Sequence, residues 1–234
     1  MKALFVAVLL IAALPARAGE LPNLATLTQS QFRDLAQDLG AALSYKGVIP
    51  ATPLGVIGFD LGVVASATNL QHSDVFARAG NRASDNIYVP KLQLNKGLPW
   101  GLDIGAFVGM ASNVDAPVAG ADVRWAIVDD KLALPAVALR ASGTRAGDIG
   151  GLRVTTAGVD LLVSKRLAVA TPFAGVGVVR TRARYEGSAL SQETFNENRY
   201  FAGLNLNLVL LNLAVEAERL GSNTTLSAKA GWRF

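Results

Sequence analysis

The single histidine of the sequence, His72, stands beside Ser73 and Asp74. Serine, histidine and an acid are the groups of nucleophilic hydrolysis, but that relay is assembled in space from separate segments. Three consecutive residues do not build it, and His72 is more simply read as a solvated loop residue. Glu216 and Glu218 lie two apart, which on a strand puts both carboxylates on one face roughly 6.6 Å apart. An inverting pair of carboxylates uses such a spacing; structural charges with nearby bases are the plainer reading. Cysteine is absent. No metal-ligand spacing, phosphate loop or nucleic-acid module occurs, so the sequence predicts no enzyme, no cofactor, no metal and no nucleic-acid partner.

A second set of charges has a different logic. Asp60, Asp103, Asp122, Asp160, Glu216 and Glu218 sit on the glycine-rich, polar side of an alternating pattern. Lys91, Arg124, Arg140, Arg199, Lys229 and Arg233 share that side. Six acids against six bases predicts pairing, because an isolated charge inside a narrow wall is costly. Folding neighbouring strands back about their turns puts Glu216 opposite or diagonal to Lys229, Asp103 near Arg124, and Asp122 near Arg140. Such a set either stiffens the wall or lines a permeation path for a small polar or zwitterionic solute. Phe107, Phe173 and Phe201 fall on the same side and could line an apolar pocket.

The elements that carry these residues have a period of two. In 101–112, Leu102, Ile104, Ala106, Val108 and Met110 form one face; Asp103, Gly105, Phe107 and Gly109 lie on the other. Segments 55–68, 86–96, 117–127, 132–143, 153–164, 168–183, 197–209, 211–220 and 223–234 repeat the pattern. With 51% hydrophobic and 17% charged residues, 23 glycines and a mean hydropathy of +0.33, the chain is neither disordered nor a coiled coil. It has no apolar run of the roughly 18–20 residues that a spanning helix needs. The pattern predicts an all-β transmembrane antiparallel up-and-down barrel of about ten strands, with twelve as the alternative count. Its apolar face meets lipid and its polar face the lumen.

The short connections 97–101, 128–131, 164–168 and 209–212 predict the periplasmic side. The longer 69–85, 144–151 and 184–196 predict the outer side. Trp100, Trp125, Trp232 and Phe234 then fall at the periplasmic rim, and Tyr88, Tyr185 and Tyr200 at the outer one. Arg180, Arg182 and Arg184 climb the outward face toward an outer loop, where lipopolysaccharide phosphates are the natural anions.

Residues 1–18 read as a cleaved secretory signal: Lys2, an apolar core, then Ala16-Arg17-Ala18. Residues 19–54 depart from the two-residue period. Phe32, Leu35 and Leu39 share a helical face, and Thr28 with Gln31 matches a capping box, so a short amphipathic helix is expected here. Ala41–Lys46 alternates again. With both ends of the barrel expected on the periplasmic side, 19–54 is read as a plug or a rim segment, leaving 55–234 as the barrel.

Leu226, Ala228, Ala230, Trp232 and the aromatic Phe234 occupy one face of the last strand. This resembles the C-terminal signal of bacterial outer-membrane barrel proteins. The resemblance covers 55–234 and the leader, and implies the cell outer membrane, a lipid bilayer with lipopolysaccharide, and the outer-membrane assembly machinery as partners. The expected function is a passive pore or carrier for a small polar or hydrophobic solute. The alternative is a closed structural or adhesive barrel that binds lipopolysaccharide or a partner through its outer loops.

Overall fold

Alternation along each segment becomes a wall once neighbours pair. The computed structural model describes residues 21–80, 84–131, 134–187, 189–208 and 211–234; the predicted signal segment 1–18 and the first half of the predicted 209–212 turn lie outside them. Ten strands form among the described residues: β1 Phe59–Asn69, β2 Asn86–Gly97, β3 Leu102–Ala111, β4 Ala116–Val128, β5 Ala136–Ala146, β6 Leu152–Ser164, β7 Ala170–Tyr185, β8 Glu193–Leu208, β9 Leu211–Leu220 and β10 Asn223–Arg233. Each is antiparallel to its sequence neighbours, and β1 pairs with β10 to close the barrel. Phe59 and Phe234 exchange both main-chain hydrogen bonds at that seam, at 2.7 and 3.0 Å.

The first strand begins four residues later than its alternation predicts. Gly55 adopts φ +78° and its carbonyl accepts the Gly58 N–H at 2.9 Å, so 55–58 is a turn. Ahead of it, α1 spans Gln29–Leu43. Its first turn is closed by the capping box: Thr28 Oγ1 accepts from Gln31 N at 3.3 Å, and Gln31 Oε1 accepts from Thr28 N at 3.0 Å. The helix continues through the alternating stretch 41–43, and residues 45–50 follow as irregular chain outside any sheet ladder, with Val48 at φ +49°. That removes the twelve-strand count. A second helix, α2 (Ser73–Gly80), occupies what the sequence predicts as a polar loop.

The barrel is full. Helix α1 touches β1, β2, β5, β6, β7, β8 and β10, which only an element inside the wall does. Its buried Phe32, Leu35, Leu39 and Leu43 pack with Phe76 of α2 and with inward Ile87, Val89, Val118 and Val154. The outer half of the lumen is therefore an apolar core, where the sequence predicts a polar one. Inward residues of the outer half are aliphatic because they meet a helix rather than water. Leu21, Leu24 and Leu27 cover this core from the loop end, where Asn23 N donates to Ala79 O at 3.0 Å. At the opposite end Leu54 N reaches Asp103 Oδ1 at 3.1 Å. Residues 21–54 thus run the length of the lumen.

Glycines serve this filling more than they clear it. Phe173 stands across from Gly203, Phe201 from Gly175 and Phe107 from Gly120, and a Cβ at each of these glycines would overlap the facing ring. Phe107 packs near Tyr45, while Phe173 and Phe201 cluster with Leu162 and Ala51. The three rings do not share the apolar pocket the sequence predicts; they fill the wall's inner surface in two places.

Two outcomes test this packing. Phe32→Ala should lower stability by about 3–5 kcal/mol, read by urea unfolding in lipid vesicles. Asp130, in the β4–β5 turn, accepts from two groups of the β6–β7 turn, the Lys165 ammonium at 2.8 Å and the Arg166 N–H at 2.7 Å, which hold its carboxyl below the ordinary range. This tether is present at neutral pH and is lost only as pH falls through that lowered value. An NMR titration should place the Asp130 midpoint below the usual ~3.9.

Candidate functional site

Below the apolar core the lumen is crossed by charge. Tyr45 Oη donates to Asp122 Oδ1 of β4 at 2.5 Å. Lys46 Nζ lies 3.0 Å from Glu218 Oε1 of β9 and donates to Ser44 Oγ at 2.6 Å. The main chain is held as well: Lys46 O accepts from Lys91 Nζ and Gly47 O from Gln93 Nε2, both at 2.7 Å. Four wall residues from three strands, β2, β4 and β9, thus grip three consecutive residues. Gly47 is required by space, because a Cβ there would overlap the Arg140 guanidinium.

Around this grip runs a chain of alternating charge. Arg140 Nε donates to Asp160 Oδ2 at 2.8 Å, and Arg199 Nη1 to the same oxygen at 3.1 Å. Arg199 Nε lies 3.3 Å from Glu218 Oε2, whose other oxygen meets Lys46. All three arginines of the lumen centre, Arg124, Arg140 and Arg199, are fully buried. Two cations also lie over ring faces: Lys91 Nζ is 4.6 Å from the centre of Phe107, and the Arg140 guanidinium carbon 5.1 Å from that of Phe201.

Nearer the short-turn end the pairing departs from the sequence reading. Asp103 and Arg124 are brought together across β3 and β4. Lys229, however, donates to both oxygens of Asp60 on β1, at 2.7 and 2.8 Å, instead of meeting Glu216. The pair crosses the closing seam: Lys229 stands opposite Val64 and its side chain reaches along β1 to Asp60, although Glu216 is its diagonal neighbour across the hairpin. Asp122 likewise has Tyr45 as its hydrogen-bond partner, and Arg140 turns to Asp160. Glu216 lies within electrostatic reach of Arg140 and Lys91. The plug leaves through Thr52, whose hydroxyl and N–H meet Ser164 Oγ at 3.1 and 3.2 Å.

At the loop end, His72 is half-buried rather than solvated. Its Nδ1 lies 3.4 Å from buried Asp38 and its Nε2 3.9 Å from Asp34, both on α1. Asp38 also accepts the N–H groups of Gln71 and His72, at 3.1 and 2.9 Å, and Asn223 Nδ2 at 2.7 Å. This carboxylate ties plug, first outer loop and β10 together. Ser73 and Asp74 open α2, and Asp74 pairs with Arg78. Among the described residues no group of histidine and acidic side chains could hold a metal ion.

Outside the barrel, Val63, Ile104, Val108, Val159, Val176 and Leu226 are exposed in a continuous apolar belt. Trp100, Trp125, Trp232 and Phe234 are exposed toward the short-turn rim, and Tyr88 and Tyr200 toward the loop rim. A closed sheet removes every strand edge, and its apolar outer surface is suited to lipid. The chain is a β-barrel of the transmembrane kind. No protein-family model and no curated protein matches its sequence. Among solved structures it is similar to the translocator domain of the autotransporter NalP from Neisseria meningitidis, at 13% identity, 88% of this chain, 97% of that one and a TM-score of 0.44. The KdgM porin, in complex with disordered oligogalacturonate, gives 6% identity, 74% and 99% coverage and 0.41. Ail, the attachment invasion locus protein of Yersinia pestis, gives 14%, 76%, 97% and 0.31. These likenesses concern the fold alone.

On the outer part of the wall, Arg180, Arg182 and Arg184 of β7 are exposed, with Arg184 opposite Arg153 and Arg182 opposite Thr155 of β6. Thr155 in turn faces exposed Arg145 of β5. Five arginines therefore share one outward face over three strands, and Arg153 pairs with Glu186.

Replacing Asp160 by Asn should cost about 3–5 kcal/mol in unfolding free energy, because Arg140 and Arg199 would lose their shared anion without regaining water. Tyr45→Phe with Asp122→Asn should couple by about 1–3 kcal/mol in a double-mutant cycle. Zero coupling would mean that plug and wall are not energetically joined at this point.

Proposed function

We propose that this protein is a sealed outer-membrane barrel, closed by its own residues 21–54, that engages lipopolysaccharide through its outward arginine face. The observation that carries the reading is the grip on Tyr45, Lys46 and Gly47 at mid-lumen. A passive pore would need an open path past these residues. A carrier would need them to leave, uncovering Asp122, Glu218, Lys91 and Gln93 together. The five arginines of β5–β7 stand where the phosphates of the outer leaflet lie, and guanidinium pairs with phosphate in bidentate fashion. The outer-membrane assembly machinery is the proposed partner of the last strand, with Trp232 and Phe234 as its outward aromatic residues.

In planar bilayers the intact protein should show no conductance steps. Steps from the intact protein would overturn closure and favour the pore or carrier. Lys46→Ala combined with Tyr45→Ala, which loosens the grip, should produce intermittent openings. Separately, Arg180→Gln, Arg182→Gln and Arg184→Gln together should reduce co-purified lipopolysaccharide several-fold, measured by mass spectrometry against the unaltered protein.

A further inference from the structure

Where the plug leaves the lumen, the wall holds a polar cavity of about 210 Å³. Thr52 of the plug lines it together with Arg166, Thr171, Asn205, Asn207 and Arg233. Two arginines thus line one small chamber, with Leu54 of the plug and Phe234 at its edge. Arg233 points inward from the end of β10, its side chain only 11% exposed. Its Nη2 donates to the Thr52 carbonyl at 3.3 Å, and its Nη1, buried, has no hydrogen-bond partner among the described residues.

The acids near this chamber are already engaged. Asp60, 4.0 Å from Arg233 Nη1, accepts two hydrogen bonds from Lys229. Asp103 pairs with Arg124 and accepts the Leu54 N–H. Asp130, beside Arg166, is taken up by Lys165 and by the Arg166 main chain. Arg166 and Arg233 are within electrostatic reach of each other, so their like charges repel.

We propose that this chamber is a binding site for a small oxyanion, a phosphate or carboxylate group, held between Arg166 and Arg233. An anion there would relieve the repulsion and give the unpartnered Nη1 an acceptor, and charge-assisted bonds of this kind are the strong ones. The ligand would touch the plug at Thr52 and the wall at β7, β8 and β10, and so fasten the plug's exit to the wall. Entry is from the short-turn side, so the anion comes either from the periplasmic solution or from an inner-leaflet lipid headgroup.

The test uses the full chain in zwitterionic detergent, titrated calorimetrically with inorganic phosphate and with citrate. A parallel arm uses native mass spectrometry with added phosphatidylglycerol. Binding in either arm should weaken at least tenfold in Arg233→Gln and in Arg166→Gln; the arm that responds identifies the source. Arg166 is exposed on a turn, so its variant keeps the test sound should Arg233→Gln fail to fold. No binding in both arms, or binding that neither substitution weakens, overturns the proposal. Neither outcome depends on whether the barrel conducts or binds lipopolysaccharide.

Discussion

A guanidinium group with no access to water must have an anion within reach, and at the centre of this lumen one carboxylate serves two of them. Asp160 lies between Arg140 and Arg199, and Arg199 passes the demand on to Glu218, which Lys46 completes. Desolvation of each ion costs several kcal/mol, and only close, well-directed partners offset it. The wall and its plug are consequently one electrostatic unit. Lys46 is the member of that chain contributed by the plug, so the wall's charges are complete only with the plug in place.

The lumen has two kinds of filling because it meets two kinds of backbone. In the outer half the plug is helical, satisfies its own main-chain groups, and presents leucines and Phe32 to aliphatic wall residues. Toward the short turns the plug is irregular chain, and its peptide groups have no partners of their own kind. The wall supplies them: Lys91, Gln93, Ser164, Asp103 and Arg233 each bond a main-chain group between residues 46 and 54. Polar residues in that half of the wall follow from the obligation to satisfy buried peptides.

Much of this fold was legible in the sequence because β alternation is local: each strand declares which side faces lipid without reference to its neighbour. The helix was legible for the same reason, through Thr28, Gln31 and the spacing of Phe32, Leu35 and Leu39. What lay beyond reach was choice among distant partners. Lys229 had Glu216 nearby in the hairpin and Asp60 across the seam, and only closure brings Asp60 close. Ala41–Lys46 alternates like a strand, yet its first three residues are the last of the helix, because the end of α1 is buried on every side and shows no polar face. The glycines opposite Phe107, Phe173 and Phe201 needed the register to be read as seats for rings. Helix α2 was hidden by its length, eight residues whose apolar Val75 and Phe76 acquire meaning only against α1.

The path of residues 21–54 changes the arithmetic of crossings. Ten strands bring a chain back to the side it started from, which is why both ends of such a barrel are ordinarily placed together. Here the chain first descends through the middle of its own wall, from Leu21 among the long loops to Leu54 at the short turns. Its described residues therefore traverse the thickness of the wall eleven times, once shielded by protein and ten times as strands of the wall itself. An odd number leaves Leu21 and Phe234 at opposite mouths of the barrel.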